Sequence, residues 1–301
     1  MSIPARYRLD RTLACGQCFR WTVLSAAAAP AAPIRPDAVP AGRRGASAGQ
    51  DAVPVVCARG VTDGTVAMVC QAGAVLRVTW EGPPGTAARL RAHLGADAPL
   101  DAVEAALARD PVLRRLLPQT SGLALMRQDP WECLISYVVS AFNNIPKIRT
   151  SIERLARACG APIAGARAWS FPTPARLADA RPAALRACLL GYRAPYVRAL
   201  ARLVADGEVE LDRVGTLPYD EARRLLLALP GVGEKVVDCV LLFAYGMGEA
   251  FPVDVWVQRA VETWYFAGRP QTPRAIRAWA RDRFGPLAGY AQQHLYAAAR
   301  A

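Results

Sequence analysis

The sequence predicts an α+β protein in which a small antiparallel β-sheet is followed by a larger region built from helices. Residues 53–80 show β-branched alternation around the turn signals Asp63-Gly64 and Ala72-Gly73, a pattern typical of antiparallel hairpins. From about residue 87 onward, apolar residues recur at helical spacing, and Pro and Gly interrupt the pattern. A chain of 301 residues can hold two or three domains with separate cores.

The sheet is expected first in the chain. Strands are predicted within residues 5–25 and 53–80, where the alternation is found. Between them, residues 26–52 are rich in Ala, Pro, Gly and Arg without any period, so we expect a disordered insertion there. These limits predict an N-terminal antiparallel sheet domain at residues 1–98 and a mainly α-helical domain at residues 99–301.

Helices are expected from residue 86 onward, because each apolar-periodic run ends at a Pro or Gly signal. The predicted segments are 86–94, 101–108, 110–117, 130–142, 146–159, 174–179, 182–189, 194–206, 219–228, 234–246, 254–267, 272–283 and 286–299.

The charge balance indicates a polyanionic partner. The chain carries 37 basic and 25 acidic residues, a net charge of +12. Nucleic acid is favoured over a membrane because no run approaches about 18 uninterrupted apolar residues. Charge that serves only solubility is the alternative. The N-terminus lacks the apolar core of a secretory signal, which predicts an intracellular protein, in the cytoplasm or nucleoid of a bacterium or the nucleus of a eukaryote.

The chain has eight cysteines, and Cys15 and Cys18 have the spacing of a metal or redox pair. A zinc site would need a second such pair or histidines at ligand spacing, and the only histidines are His93 and His294. We therefore disfavour a metal site. The cysteines are expected to be small buried apolar residues in a reducing compartment, and no cofactor is predicted.

A helix-hairpin-helix stands out between residues 219 and 245. The first helix stops at Pro230, the chain turns through Gly231, Val232 and Gly233, and an apolar helical run follows. Glycine lets the turn approach a ligand closely, and the restarting helix directs unpaired amides and the positive end of its dipole outward. This corner is predicted to bind a phosphate.

Lys235 lies in the first turn of the second hairpin helix. Of the 37 basic residues, only Lys147 and Lys235 are lysine. A lysine amine can lose its proton and attack electrophilic carbon to form a Schiff base, which arginine cannot do. A simple phosphate contact explains Lys235 equally well. Asp254 precedes the next helical run at an N-cap position, and capping alone would account for it.

Together with these residues, several short motifs resemble the 8-oxoguanine DNA glycosylases of the helix-hairpin-helix (HhH-GPD) superfamily. They occur in the family's order at residues 15–21, 129–137, 143–145, 191–193, 229–239, 252–254 and 289–292. No cysteine follows Cys239, which disfavours the related branches that carry an iron-sulfur cluster near the C-terminus.

The resemblance implies a monomeric base-excision-repair enzyme that acts on double-stranded DNA, does not bind membranes, and removes 8-oxoguanine and formamidopyrimidine-guanine. In this family the lysine corresponding to Lys235 attacks C1′, forms an imine and permits β-elimination, while Asp254 would stabilise the cationic sugar. The carbonyl of Gly16 would accept the N7 hydrogen that distinguishes 8-oxoguanine from guanine.

Further roles follow from the same resemblance. Gln292 would read the Watson–Crick edge of the base, and Cys239 and Tyr296 would sandwich it, although helix packing alone would also explain the latter two. A structural, non-catalytic cation would lie at the carbonyls of Leu227, Leu229 and Val232.

The residues that contact the opposite strand depart from the family. Phe142 replaces the first of three asparagines, with Asn143 next to it, and Lys147 replaces an arginine. Tyr192 remains as the wedge and Arg193 as the reader of the opposite cytosine. Because an aromatic ring can stack but cannot hydrogen-bond cytosine, we expect weak discrimination of the opposite base.

Two other functions remain open from the sequence. The chain could be a non-catalytic helix-hairpin-helix DNA-binding module in which Lys235 only contacts phosphate. It could also be a monofunctional alkyl-base glycosylase, which is disfavoured because that branch lacks the lysine.

Overall fold

A computed structural model describes residues 1–25, 55–62, 64–81 and 84–301. The disordered insertion predicted at 26–52 lies wholly outside these residues and stays a prediction.

The N-terminal sheet has four antiparallel strands in the order β1-β2-β3-β4, as the sequence predicts. They are Trp21–Val23 (β1), Val55–Thr62 (β2), Thr65–Ala72 (β3) and Val75–Glu81 (β4). Trp21 pairs with Gly60, and a Cβ atom at Gly60 would lie 2.1 Å from the indole Cδ2. Glycine at this position therefore allows the indole to lie flat on the sheet.

The strand predicted over residues 5–25 is largely wrong, because Leu9–Ala14 forms a helix (α1). Its buried residues are Leu9, Thr12 and Leu13, which follow helical spacing. Thr12 is buried because its hydroxyl accepts a hydrogen bond from the amide of Ala124, 3.1 Å away. Tertiary contact thus fixes a short helix that alternation alone did not reveal.

All but one of the remaining helices agree with the predicted segments to within a few residues; the exception is Leu211–Val214. They are Ala87–His93 (α2), Leu100–Leu107 (α3), Pro111–Thr120 (α4), Pro130–Ser140 (α5), Ile145–Cys159 (α6), Pro174–Ala178 (α7), Pro182–Ala187 (α8), Ala194–Ala205 (α9), Leu211–Val214 (α10), Tyr219–Leu227 (α11), Glu234–Val240 (α12), Val255–Tyr265 (α13), Pro273–Phe284 (α14) and Ala288–Ala299 (α15). The sequence did not predict α10 or the 3₁₀ turn Gly191–Arg193, and α12 continues as a π-helix over Leu241–Tyr245.

Helix α5 is the centre of the helical core. Apart from Pro130 and Glu132, all its residues are buried, and it packs on α6, α9 and α12. A second cluster joins the sheet to Ala124 and Met126, and a third joins α3 and α4 to α13, α14 and α15. The sheet cluster thus includes residues beyond 98, and the predicted domain boundary there stays a prediction.

One pair of cysteines departs from expectation. Cys57 and Cys70 face each other in β2 and β3 and form a disulfide, so they are not free thiols. Of the six free cysteines, all but Cys159 are buried, as predicted. Within the described ranges, no cluster of three metal-ligating side chains is found, and no helix is long and apolar enough to cross a membrane.

Candidate active site

The hairpin between α11 and α12 presents an open helix N-terminus. Gly231 has a φ of +74°, and a Cβ atom there would lie 2.5 Å from Tyr196 on α9. Gly233 is the N-cap of α12, makes no side-chain capping bond, and has open space where a Cβ would lie. The first amides of α12 therefore face outward without a competing side chain, which suits a phosphate.

Lys235 is half-buried and held from two sides. Its Nζ donates a hydrogen bond to Ser140 Oγ at 3.0 Å and lies 4.8 Å from the centre of the Tyr137 ring. Ser140 Oγ in turn donates to the Tyr137 carbonyl at 2.7 Å. The end of α5 thus aims the amine, and neither Tyr137 nor Ser140 was identified from the sequence.

One signal in the sequence could have revealed these two residues. They are hydroxyl-bearing side chains spaced i and i+3, which places them on one face of a helix whose other polar residues are Glu132 and Ser136. A buried hydroxyl requires a partner, so such a pair in a core helix indicates a polar site.

Asp254 caps α13, since its Oδ1 accepts a hydrogen bond from the Val257 amide at 2.9 Å. Among the described residues it makes no ion pair with Lys235. Both charges nevertheless act on the Cys239 thiol. Burial raises the pKa of Cys239 to about 12, Lys235 opposes that rise, and Asp254 adds to it. Lys235 and Asp254 thus both influence the pKa of one buried thiol.

The predicted base-reading residues meet at the same place. Gly16 has a φ of +75°, and a Cβ atom on it would lie 3.0 Å from the Tyr296 hydroxyl. Asp254 also acts on Tyr296 by raising its pKa, although burial is the larger cause. Gly16, Cys239, Asp254 and Tyr296 therefore converge near Lys235, although they come from α12, α13, α15 and the turn after α1.

Gln292 is buried beside this group, but both ends of its amide are engaged. Its Nε2 donates to the Pro252 carbonyl at 3.1 Å, and its Oε1 accepts from Gln293 Nε2 at 2.7 Å. Reading the edge of a base would require Gln292 to exchange these bonds for bonds to the ligand.

Phe142 projects from the loop between α5 and α6. Its side chain is 98% exposed, and its φ of +48° is unusual for a residue with a side chain. Asn143 donates to the Val139 carbonyl at 3.1 Å, and the Lys147 amide donates to the Asn144 cap of α6. Tyr192, 56% exposed, reaches the same loop with its hydroxyl 3.4 Å from the Ala141 carbonyl.

Arg193 lies under this loop, only 6% exposed. Its Nε and Nη2 donate to the Ala141 carbonyl, Nη2 donates to the Phe142 carbonyl at 3.1 Å, and Nη1 donates to the Leu190 carbonyl at 3.3 Å. The sequence assigned Arg193 to the opposite cytosine, but in this structure its guanidinium is used to hold the loop. Reading a base would require it to leave these carbonyls.

The other face of α12 is occupied by ion pairs. Glu234 lines a cavity of about 710 Å³, and Glu234 and the buried Asp238 both pair with Arg223 and Arg277. Burial raises the pKa of Asp238 to about 6, against the lowering effect of the two arginines. The helix thus directs Lys235 and Cys239 to one side and a charge-balanced cluster to the other.

Residues 135–286 match the model of the HhH-GPD superfamily of base excision DNA repair proteins. The chain belongs to this family. A probable N-glycosylase/DNA lyase of Methanothermobacter thermautotrophicus is 37% identical over 213 residues, which cover 64% of this chain and 68% of the relative. The N-glycosylase/DNA lyase of Saccharomyces cerevisiae is 34% identical over 170 residues, and the match spans only 45% of that protein.

Solved structures agree with these matches. The 8-oxoguanine glycosylase/lyase of Clostridium acetobutylicum, in complex with double-stranded DNA containing cytosine opposite 8-oxoguanine, superposes with a TM-score of 0.82 at 27% identity. The superposition covers 98% of this chain and 92% of that one. A structure of MBOgg1 in complex with a low-affinity DNA ligand gives the same TM-score and coverage at 31% identity. The predicted family and the predicted α+β fold are therefore confirmed.

Proposed function

We propose that the protein is a bifunctional DNA glycosylase and abasic-site lyase that excises 8-oxoguanine from double-stranded DNA during base excision repair. Its relatives are N-glycosylase/DNA lyases, and the observation that carries the proposal is the position of Lys235. The amine stands at the start of the second hairpin helix, fixed by α5, within a group that includes Cys239 and Asp254.

The hairpin and the lysine would act in sequence. The hairpin turn of Gly231, Val232 and Gly233, together with the open first amides of α12, holds a phosphate while the damaged nucleotide leaves the stack, at a cost of about a few kcal/mol. The neutral Lys235 amine then attacks C1′ of the sugar, and the bond to the base breaks with its electron pair leaving on the base. Ser140 keeps the amine in place by accepting its hydrogen bond.

The covalent intermediate leads to strand cleavage. The sugar opens to an imine on Lys235, a proton is lost from C2′, and the C3′–O bond breaks with the phosphate as leaving group. Water then hydrolyses the imine and frees the amine. The Asp254 carboxylate stabilises the positive charge on the sugar as the base departs.

Recognition of the lesion rests on a single hydrogen bond. The Gly16 carbonyl accepts the N7 hydrogen of 8-oxoguanine, and unmodified guanine has none to offer. Cys239 and Tyr296 contact the two faces of the base, and Gln292 reads its edge. Formamidopyrimidine-guanine is the second substrate that we propose for these residues.

Phe142 and Tyr192 fill the space that the extruded nucleotide leaves in its own strand, Asn143 and Lys147 adjoin the opposite strand, and Arg193 holds the loop that presents Phe142. The exposure of the two rings supports this assignment. Stacking of such rings on bases contributes about 1–3 kcal/mol for each base.

The remaining assignments rest on the sequence and the family. We propose that the protein acts as a monomer inside the cell, without membrane contact, and that residues 1–98 and 99–301 are separate domains. A structural cation at the carbonyls of Leu227, Leu229 and Val232 would stiffen the hairpin; the Leu229 carbonyl already accepts the Val232 amide at 3.2 Å.

Borohydride trapping on a duplex containing 8-oxoguanine tests the proposal. Wild-type protein should give a covalent adduct that Lys235→Gln abolishes and Lys147→Gln retains, a matched control because these are the only lysines. The absence of an adduct and of base release in the wild type would favour the DNA-binding module. Base release without an adduct or strand cleavage would favour a monofunctional glycosylase.

A further inference from the structure

We propose that Tyr137 is a positioning residue that fixes the lesion-reading carbonyl of Gly16 relative to the Lys235 amine. This inference rests on the proposed function and deepens it. It concerns a residue of α5 whose two ends reach the two halves of the site.

The hydroxyl of Tyr137 anchors the turn that carries Gly16. It lies 2.8 Å from the Gln17 carbonyl and 3.4 Å from the Gly16 carbonyl. Gln17 O also accepts from Gln128 Nε2 at 2.7 Å, so both of its lone pairs are used. The single hydroxyl proton is therefore directed at Gln17, and the long contact leaves the Gly16 oxygen able to accept a hydrogen bond from a ligand.

The rest of the turn is fixed through the Gln17 side chain. Its Nε2 donates to the Ala124 carbonyl at 2.8 Å, and its Oε1 accepts from the Met126 amide at 2.9 Å. With the side chain and the carbonyl of Gln17 both held, the peptide that carries the Gly16 oxygen has a single orientation.

The ring and backbone of Tyr137 contact the lysine. The ring is 2% exposed and packs between Phe243, at a centroid distance of 5.7 Å, and Phe19, at 5.5 Å, so it cannot swing away. Its centre lies 4.8 Å from Lys235 Nζ, and its carbonyl accepts the Ser140 hydroxyl that holds the same amine. One rigid residue thus sets the separation between the oxygen that reads the base and the nitrogen that attacks the sugar.

This arrangement separates two reactions that share Lys235. Excision of a base requires the Gly16 oxygen and the amine to engage one nucleotide at the same time. Cleavage at an existing abasic site requires the amine alone, because there is no base to read. Removing the Tyr137 hydroxyl should therefore impair the first reaction and spare the second.

The test uses Tyr137→Phe, which keeps the ring over Lys235 and deletes only the hydroxyl. Single-turnover rates are measured on a duplex with 8-oxoguanine opposite cytosine and on the same duplex with a preformed abasic site. We expect excision to fall by about tenfold, the usual scale for a lost hydrogen bond to a buried acceptor, with abasic-site cleavage unchanged. The control is Tyr245→Phe, whose hydroxyl donates to the Leu211 carbonyl at 2.8 Å, on a separate part of the helical core.

The outcomes separate the inference from the proposed function. Suppose that the wild type excises 8-oxoguanine. If Tyr137→Phe then lowers the rates of excision and of abasic-site cleavage equally, or lowers neither rate, the inference is wrong and the proposed function stands. A parallel loss in Tyr245→Phe would also overturn it, since any buried hydroxyl would then have the same effect. If the wild type itself excises no 8-oxoguanine, the proposed function fails, and the inference fails with it.

Discussion

Replacing Arg193 with methionine should release the loop that presents Phe142. The guanidinium donates to the carbonyls of Ala141, Phe142 and Leu190, and methionine keeps much of the apolar stem while removing every donor. Phe142 has no packing of its own to hold it, because its side chain is 98% exposed. The Arg193 hydrogen bonds are therefore the contacts that fix its backbone.

The size of the effect follows from the backbone conformation of Phe142. The left-handed region costs a residue with a side chain about 1–2 kcal/mol, and its φ of +48° lies there. Charge-assisted hydrogen bonds contribute about 1.5–3 kcal/mol each, so those of Arg193 outweigh the strain. Without them the loop relaxes, and binding must supply about 1–2 kcal/mol to restore it, which weakens DNA affinity about 5- to 30-fold.

A double-mutant cycle measures this coupling. Affinities for a duplex with an uncleavable abasic analogue are compared for the wild type, Arg193→Met, Phe142→Ala and the double variant. If Arg193 acts through Phe142, the double variant should bind no more weakly than Phe142→Ala alone. Thermal unfolding of each variant separates loss of binding from loss of folded protein.

The reasoning would be refuted by either of two results. Additive losses in the double variant would mean that Arg193 and Phe142 act independently. A loss for Arg193→Met that occurs only with cytosine opposite the lesion would mean that the guanidinium leaves the loop and reads the base.

Further predictions concern specificity, acid stability and the sheet. If Phe142 takes its proposed place in the DNA, where a ring can stack but cannot hydrogen-bond cytosine, wild-type excision rates opposite C and A should be equal within a fewfold; a strong preference for C contradicts this. Burial lowers the pKa of His294 from 6.5 to about 4, so the unfolded chain binds the extra proton between these values and stability falls as the pH falls through them. The stability contributed by Asp238 changes with pH in the opposite direction, so the wild type is compared with His294→Gln, in which Asp238 is unchanged. The free energy of unfolding of the wild type minus that of the variant should fall by about 2 kcal/mol between pH 7 and pH 4.5 in chemical denaturation. Gly60→Ala should destabilise the fold by about 1–3 kcal/mol in the same assay, because its Cβ would overlap the Trp21 indole, and an unchanged midpoint would show that the indole moves freely.

Much of the fold could be predicted because its signals are local. Pro and Gly residues mark the ends of most helices from α2 onward. The turn signals between β2, β3 and β4 predict the hairpins that form the sheet. Helix α1 was missed because its burial depends on contacts with residues about 110 positions away, such as the Thr12 bond to Ala124. No short window of sequence contains that information.

Only some of the site residues could be predicted, because others are recognisable only from contacts with residues that are distant in the sequence. Lys235 and Asp254 stand out through residue type and position, and both charges act on the pKa of Cys239. Tyr137 and Ser140 were missed because they look like ordinary members of a buried helix until Lys235 is seen beside them. Arg193 was identified by its motif, but the motif could not indicate that its donors are used by the neighbouring loop.

The contact between Gly16 and Tyr296 has a consequence for the order in which the parts of the site form during folding. These residues come from nearly opposite ends of the sequence, whereas the hairpin and Lys235 lie within a contiguous helical segment. A folding chain in which α15 has not yet docked would thus carry the hairpin and Lys235 but would lack Gln292 and Tyr296, two of the residues proposed to contact the base. With the base-reading roles proposed for Gln292 and Tyr296, docking of α15 completes the base pocket, so fusion tags or truncations near residue 300 should affect selectivity before they affect DNA affinity.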